Sequence, residues 1–103
     1  FNKGENKMET KVKPLFGRTG KPVANQYVMK YQNHTYFQAY DRIIAHKYIL
    51  CDTTKPAQVE LDAKYWNYSA TTSKYRNQFL GESTKETQAK IDSGEYKLVD
   101  LNN

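Results

Sequence analysis

Between Val23 and Tyr40 the side chains alternate so regularly that an antiparallel hairpin is the structure that best accommodates them. Val23, Asn25, Tyr27, Met29 and Tyr31 alternate with Ala24, Gln26, Val28, Lys30 and Gln32, the period of a half-buried strand. Asn33-His34 then supplies a two-residue turn, because Asn tolerates the left-handed backbone such turns require. Thr35 to Tyr40 reads as the returning strand. This turn pairs Tyr31 with Tyr36, Met29 with Gln38 and Tyr27 with Tyr40. Cross-strand partners share a face, so Tyr27, Met29, Tyr31, Tyr36, Gln38 and Tyr40 fall on one side. Val28, Lys30, Phe37 and Ala39 fall on the other, and a slip of one residue would scramble the assignment.

The remaining segments attach to that hairpin. Val12 to Phe16 is a short strand interrupted by Pro14, and the Gly and Pro content of residues 17–22 marks a loop. Asp41-Arg42 turns the chain into Ile43–Leu50, which is apolar on both alternating faces, as a central strand covered on two sides should be. Asp52 to Pro56 is a polar loop and Val59–Leu61 a further short strand. Thr71-Thr72-Ser73 offers N-caps for a helix carrying Tyr75, Phe79 and Leu80, with Gly81 as its stop. Ser83 and Glu86 have capping-box spacing for a second helix running to about Ser93. Glu95–Leu101 closes the chain as a last strand. The order predicts an α+β domain over residues 11–103, preceded by a basic, polar arm over residues 1–10. Its mostly antiparallel sheet should have about four or five strands, with two short helices between the penultimate and last. A free edge at Val59–Leu61 or Glu95–Leu101 would allow a homodimer.

Composition narrows the class of protein. At 103 residues and 12.0 kDa the chain fits one domain, and its 14% aromatic content, including nine tyrosines, argues against disorder. No apolar run approaches the roughly 20 residues of a membrane span, and no signal-peptide pattern is present, so the expectation is a soluble intracellular product without a membrane partner. A single cysteine, Cys51, excludes an internal disulfide and a multi-cysteine zinc site. The net charge of +5 lies entirely in residues 1–30, where seven lysines and arginines face Glu5 and Glu9. A basic segment of this kind either binds polyanions, releasing their counterions, or serves as a solvated terminus.

Candidate chemistry is sparse. Residues 17–21 lack the glycine spacing and the Ser/Thr of a phosphate-binding loop, and Pro22 stands where that hydroxyl belongs. His34 falls in the predicted turn and His46 in the central strand, so they form no local metal-ligand pair. A hydrolytic pairing of His46 with Asp41 or Asp52 stands behind an ordinary structural histidine. Cys51 lacks the electropositive surroundings of a reactive thiol. The tyrosine face supports two readings, base stacking beside cations or packing beneath the helices, with packing favoured because the opposite face is smaller. Residues 65–80 are dense in specific side chains. Trp66 and Phe79 should anchor the helix on the sheet, while Lys74, Arg76, Asn77 and Gln78 surround its outer side.

Three segments, GKPVANQ at 20–26, YFQAYDRIIA at 36–45 and WNYSATTSKYRNQFLGE at 66–82, together resemble small uncharacterised proteins of tailed bacteriophages and related mobile elements. The resemblance covers about residues 20–82 and carries no catalytic residue. It implies phage origin and action in the bacterial host cytoplasm. Three functions follow in order of expectation. The first is a nucleic-acid-binding accessory protein, with Lys11, Lys13, Arg18, Lys21, Lys30, Lys74 and Arg76 on phosphates and Tyr27, Tyr31 or Tyr36 stacking. The second is an inhibitor of a host defence or metabolic enzyme, using exposed Tyr and Arg. A small enzyme comes last, for want of a convergent acid, base and nucleophile. No cofactor or metal is expected.

Overall fold

The computed structural model describes residues 11–49 and 57–102. The expected arm over residues 1–10, Cys51, Asp52 and the loop to Pro56 lie outside the described residues. Six strands form one sheet in chain order: β1 (Lys11–Phe16), β2 (Pro22–Tyr31), β3 (His34–Ala39), β4 (Arg42–Tyr48), β5 (Gln58–Asp62) and β6 (Lys97–Val99). Two helices, α1 (Ala70–Leu80) and α2 (Thr84–Asp92), separate β5 from β6. Every neighbouring pair is antiparallel except β5–β6, which runs parallel. The long helical crossover permits that reversal, which a hairpin could not. The α+β class and helix placement match the sequence reading, whereas the sheet has six strands rather than four or five. Both marginal segments pair: β1 accommodates Pro14 because it is an edge strand with a register shift between Pro14 and Phe16. Val59–Leu61 is no free edge, since β5 pairs with β4 and β6; the sheet edges are β1 and β6.

The central hairpin turns one residue earlier than its sequence suggests. Gln32, not Asn33, takes the left-handed backbone at φ 52°, and Tyr31 pairs with His34, Met29 with Tyr36 and Tyr27 with Gln38. His34 thereby enters the strand, opposite Tyr31 on one side and Tyr48 on the other. The pairing moves by two residues, an even number, so the faces are unchanged. Of the residues assigned to the tyrosine face, Tyr40 leaves its strand: it sits outside β3 with φ 56°.

The helices cover the face opposite to the one favoured from sequence. The core consists of Leu15, Phe37, Ala39, Ile44, Ala45, Val59, Leu61 and Tyr96, with Val28, Trp66, Phe79, Leu80 and Ile91 packed against it. Phe79 of α1 stacks on Phe37 at 5.8 Å between centroids, so the anchoring role read for it holds. The tyrosine face therefore lies away from the helices. A stretch with smaller side chains leaves room for a helix, and Ala39 and Ala45, both fully buried, provide that room beside Phe37.

Helix ends follow local chemistry. Ser69, rather than Thr71–Ser73, caps α1 by accepting from the Thr72 N–H at 3.1 Å, which frees Thr72 to be buried beneath the helix. Gly81 ends α1 at φ 73°, a conformation costly for other residues. Ser83 and Glu86 form the full capping box of α2.

Candidate functional site

Six of the predicted phosphate-binding cations lie on the β1–β2 ribbon, in its loop and on α1. Lys11 pairs with Lys30 and Lys13 with Val28, so these lysines stand on the core side of the ribbon. With Pro14, Leu15, Phe16 and Val28 they line a hollow of about 300 Å³. Arg18 and Lys74 line a second hollow of about 380 Å³ with Gly17, Tyr75 and Gln78. Phe16 and Gly17, consecutive in the chain, belong one to each hollow. Gln78 fastens α1 to the ribbon by donating to the Phe16 carbonyl at 2.6 Å, which sets the spacing of the second hollow. Lys11, Lys13, Arg18, Lys21, Lys30 and Lys74 are all exposed. The sequence contains no Asp or Glu between Glu9 and Asp41, and among the described residues no carboxylate lines either hollow. Phe16, Tyr75 and Gln78 carry no local signal for a binding site. Their role arises from the approach of α1 to the β1–β2 loop, which no short-range pattern encodes.

Arg76 does not belong to this set. It is fully buried, donating to the Trp66 carbonyl, to Asn67 Oδ1 at 3.2 Å, to Asn77 Oδ1 at 2.8 Å and to Thr84 Oγ1 at 2.9 Å. Its guanidinium also lies over the Trp66 ring, 4.9 Å from the centroid. Burial lowers its pKa, partly offset by the charge of Glu82. Both terminal nitrogens are engaged in joining α1 to the segments before and after it, so no phosphate can reach them.

Tyr27, Tyr31 and Tyr36 lie on the opposite face and are half-buried. Tyr36 stacks face to face on His46 with centroids 4.3 Å apart and planes 5° apart. His34 Nδ1 lies 2.9 Å from His46 Nε2, and His46 Nδ1 lies 3.1 Å from Glu60 Oε1. Tyr48 completes the cluster, stacked on both His34 and His46. The two histidines, separate in the sequence reading, are therefore joined, and the carboxylate facing His46 is Glu60 rather than Asp41. Alternation within β5 offered a signal for Glu60, since it lies between the inward residues Val59 and Leu61. Among the described residues no His, Cys, Asp and Glu group has the arrangement of a metal site.

Two carboxylates brace the frame behind these surfaces. Burial pushes the Asp62 pKa up, but hydrogen bonds from the Leu101 N–H, Asn102, and the Tyr65 and Lys64 N–H groups outweigh it, and the net shift is downward. Burial likewise acts against the Glu82 carboxylate, yet Lys90, Thr87 and Tyr96 donate to it and hold its pKa below the ordinary value. The Tyr96 hydroxyl is raised to about 12 by burial and its bond to Glu82.

The fold and surfaces define an α+β protein with one helix-covered sheet face and one aromatic face. Residues 10–95 match the model of a family described as a family of unknown function, DUF8033, and the chain belongs to that family. No curated protein and no solved structure matches the chain. No helix among the described residues is long and apolar enough to cross a membrane.

Proposed function

We infer that this protein binds nucleic acid along the two hollows beside the β1–β2 ribbon. One observation carries this reading: Lys11, Lys13, Arg18, Lys30 and Lys74 rim two hollows that no carboxylate lines among the described residues. Such a track attracts a phosphate backbone by counterion release, while Phe16 and Tyr75 offer rings to unpaired bases. Lys21 extends the positive field from the loop between β1 and β2. Arg76 has no part in it, and Tyr27, Tyr31 and Tyr36 stand on the far side of the sheet. In this reading the protein is a small phage-encoded accessory factor acting in the host cytoplasm, without catalysis. Fluorescence anisotropy of labelled single- and double-stranded DNA and RNA at two salt concentrations tests it. Binding that weakens steeply with salt is expected, and absence of binding at low salt overturns it.

Tyr40 and Tyr68 favour a second reading, being 50% and 48% exposed. Exposed tyrosines are frequent anchors in protein interfaces, as an inhibitor of a host defence or metabolic enzyme would require. That function predicts capture of one host protein, insensitive to salt and lost on Tyr68→Ala.

A further inference from the structure

The charged side chains of the sheet are sorted by face. Lys11 pairs directly with Lys30, Lys13 lies opposite Val28, Arg42 opposite Ala39 and Lys47 opposite Val59, so all five cations of β1–β4 share the side of the core. Alternation turns Val12, Met29, Tyr31, Tyr36, Ile43 and Tyr48 to the other side. Across these four strands that side bears no Lys, Arg, Asp or Glu. Glu60 of β5 is the first charge met on it, bonded to His46 at 3.1 Å and opposite Lys97 of β6. A phosphate backbone would find no cation over β1–β4 to hold it. Tyr36 and His46 turn ring faces to one another with centroids 4.3 Å apart, and His46 stacks on Tyr48 at 4.9 Å. These rings use faces on each other that a base or a sugar would need.

A second copy of this chain meets neither obstacle. At a net charge of +5, two copies repel wherever their lysines approach, and this face brings none together across β1–β4. Its relief is self-complementary as well. Val12 on the edge strand is 58% exposed, and on the same face Met29, Tyr31, Tyr36 and Ile43 line an apolar hollow of about 310 Å³. A two-fold axis between them would let each copy offer Val12 to the other's hollow. Strands β1–β5, about 4.8 Å apart and about 20 Å long, present about 480 Å² in projection. Two such faces together cover about 1,000 Å², the lower bound for a specific interface. We propose that the aromatic face binds a second copy of this chain, sheet against sheet about a two-fold axis, as a reversible homodimer. Both helix-covered sides then point outward. Each basic track is complete within one chain, so pairing of copies and binding of an oligonucleotide stand or fall separately.

Sedimentation velocity of the nuclease-treated full chain, from low to high micromolar concentration and at two salt concentrations, tests this. The boundary should move from 12.0 kDa toward twice that mass as concentration rises. High salt should not weaken the association, because it screens the repulsion between two positive copies. Val12→Lys, at an exposed edge position, should weaken dimerisation by roughly tenfold or more, since a cation then replaces an apolar contact in both copies. Met29→Lys should do the same, with near-UV circular dichroism reporting an intact fold for both, whereas Lys13→Ala/Lys30→Ala should not weaken it. A wild type that stays monomeric at every concentration overturns the proposal and leaves the face to a partner of another kind. A dimer that both Val12→Lys and Met29→Lys retain also overturns it, placing the contact at a sheet edge instead. So does association that dissolves in high salt or is lost in Lys13→Ala/Lys30→Ala, which would place it on the basic side.

Discussion

The two faces of the sheet are built from alternate residues of the same strands, yet they are stabilised differently. Phe37, Ala45 and Leu61 on one face are completely buried beneath α1 and α2. Tyr36, His46 and Tyr48 on the other lie against one another, with no described element over them. Aliphatic and phenyl groups gain stability only by leaving water, which requires a second layer. Tyrosine and histidine can stack at their faces and keep polar edges hydrated or hydrogen-bonded, so they tolerate an uncovered sheet. The difference explains why the face with the larger aromatic inventory is the one that carries neither helix.

The largest effect expected comes from adjacent residues on opposite faces. Phe37→Ala should cost about 3–5 kcal/mol, from lost burial and the cavity beneath Phe79. Tyr36→Ala should cost about 1 kcal/mol, mainly its stacking on His46. Urea denaturation of both variants checks the contrast; equal losses would mean that the aromatic face is as covered as the core.

Arg76 tests whether polar groups under the helices serve the frame. Arg76→Ala should destabilise by about 3 kcal/mol, because several part-buried acceptors lose their donor and the buried site loses its packing. Arg76→Lys should recover little, since an ammonium cannot span the acceptors that the planar guanidinium joins. The salt dependence of nucleic-acid binding should not change in a folded variant, in contrast to the exposed lysines.

Acid sensitivity sharpens the same contrast at smaller amplitude. The folded-state pKa values of Asp62 and Glu82 are lowered. Their stabilisation is therefore complete above the unfolded carboxylate range and is lost as pH falls through the lowered folded values. Asp62→Asn should remove about 2 kcal/mol at neutral pH and flatten the acid limb of the stability curve. Thermal melts across acidic pH would show both.

Local signals in the sequence account for much of this architecture. Alternation from Val23 to Ala39 marks two strands and their faces, and Ser83-x-x-Glu86 marks the start of α2. The turn position was not legible, because Gln32 takes a left-handed backbone that Asn33 favours intrinsically, and His34 gains partners only after β4 pairs with β3. Arg76 reads as an outer residue of α1, since the carbonyl and hydroxyl that bind it come from Trp66 and Thr84, at either end of the helix. For the candidate surface, the basic character of residues 11–30 was visible, while its division from the tyrosines required knowing which face α1 covers.

The most direct test of the nucleic-acid reading compares salt slopes between the faces. Anisotropy titrations with a single-stranded oligonucleotide would be run across salt concentrations for wild type, Lys13→Ala/Lys30→Ala and Tyr31→Ala/Tyr36→Ala. The lysine variant should lower the slope of log affinity against log salt by about 1–2, roughly 0.7 for each phosphate no longer neutralised, while the tyrosine variant keeps the wild-type slope and affinity. An unchanged slope in the lysine variant, or binding abolished only in the tyrosine variant, would contradict the placement of the interface on the helix-covered side.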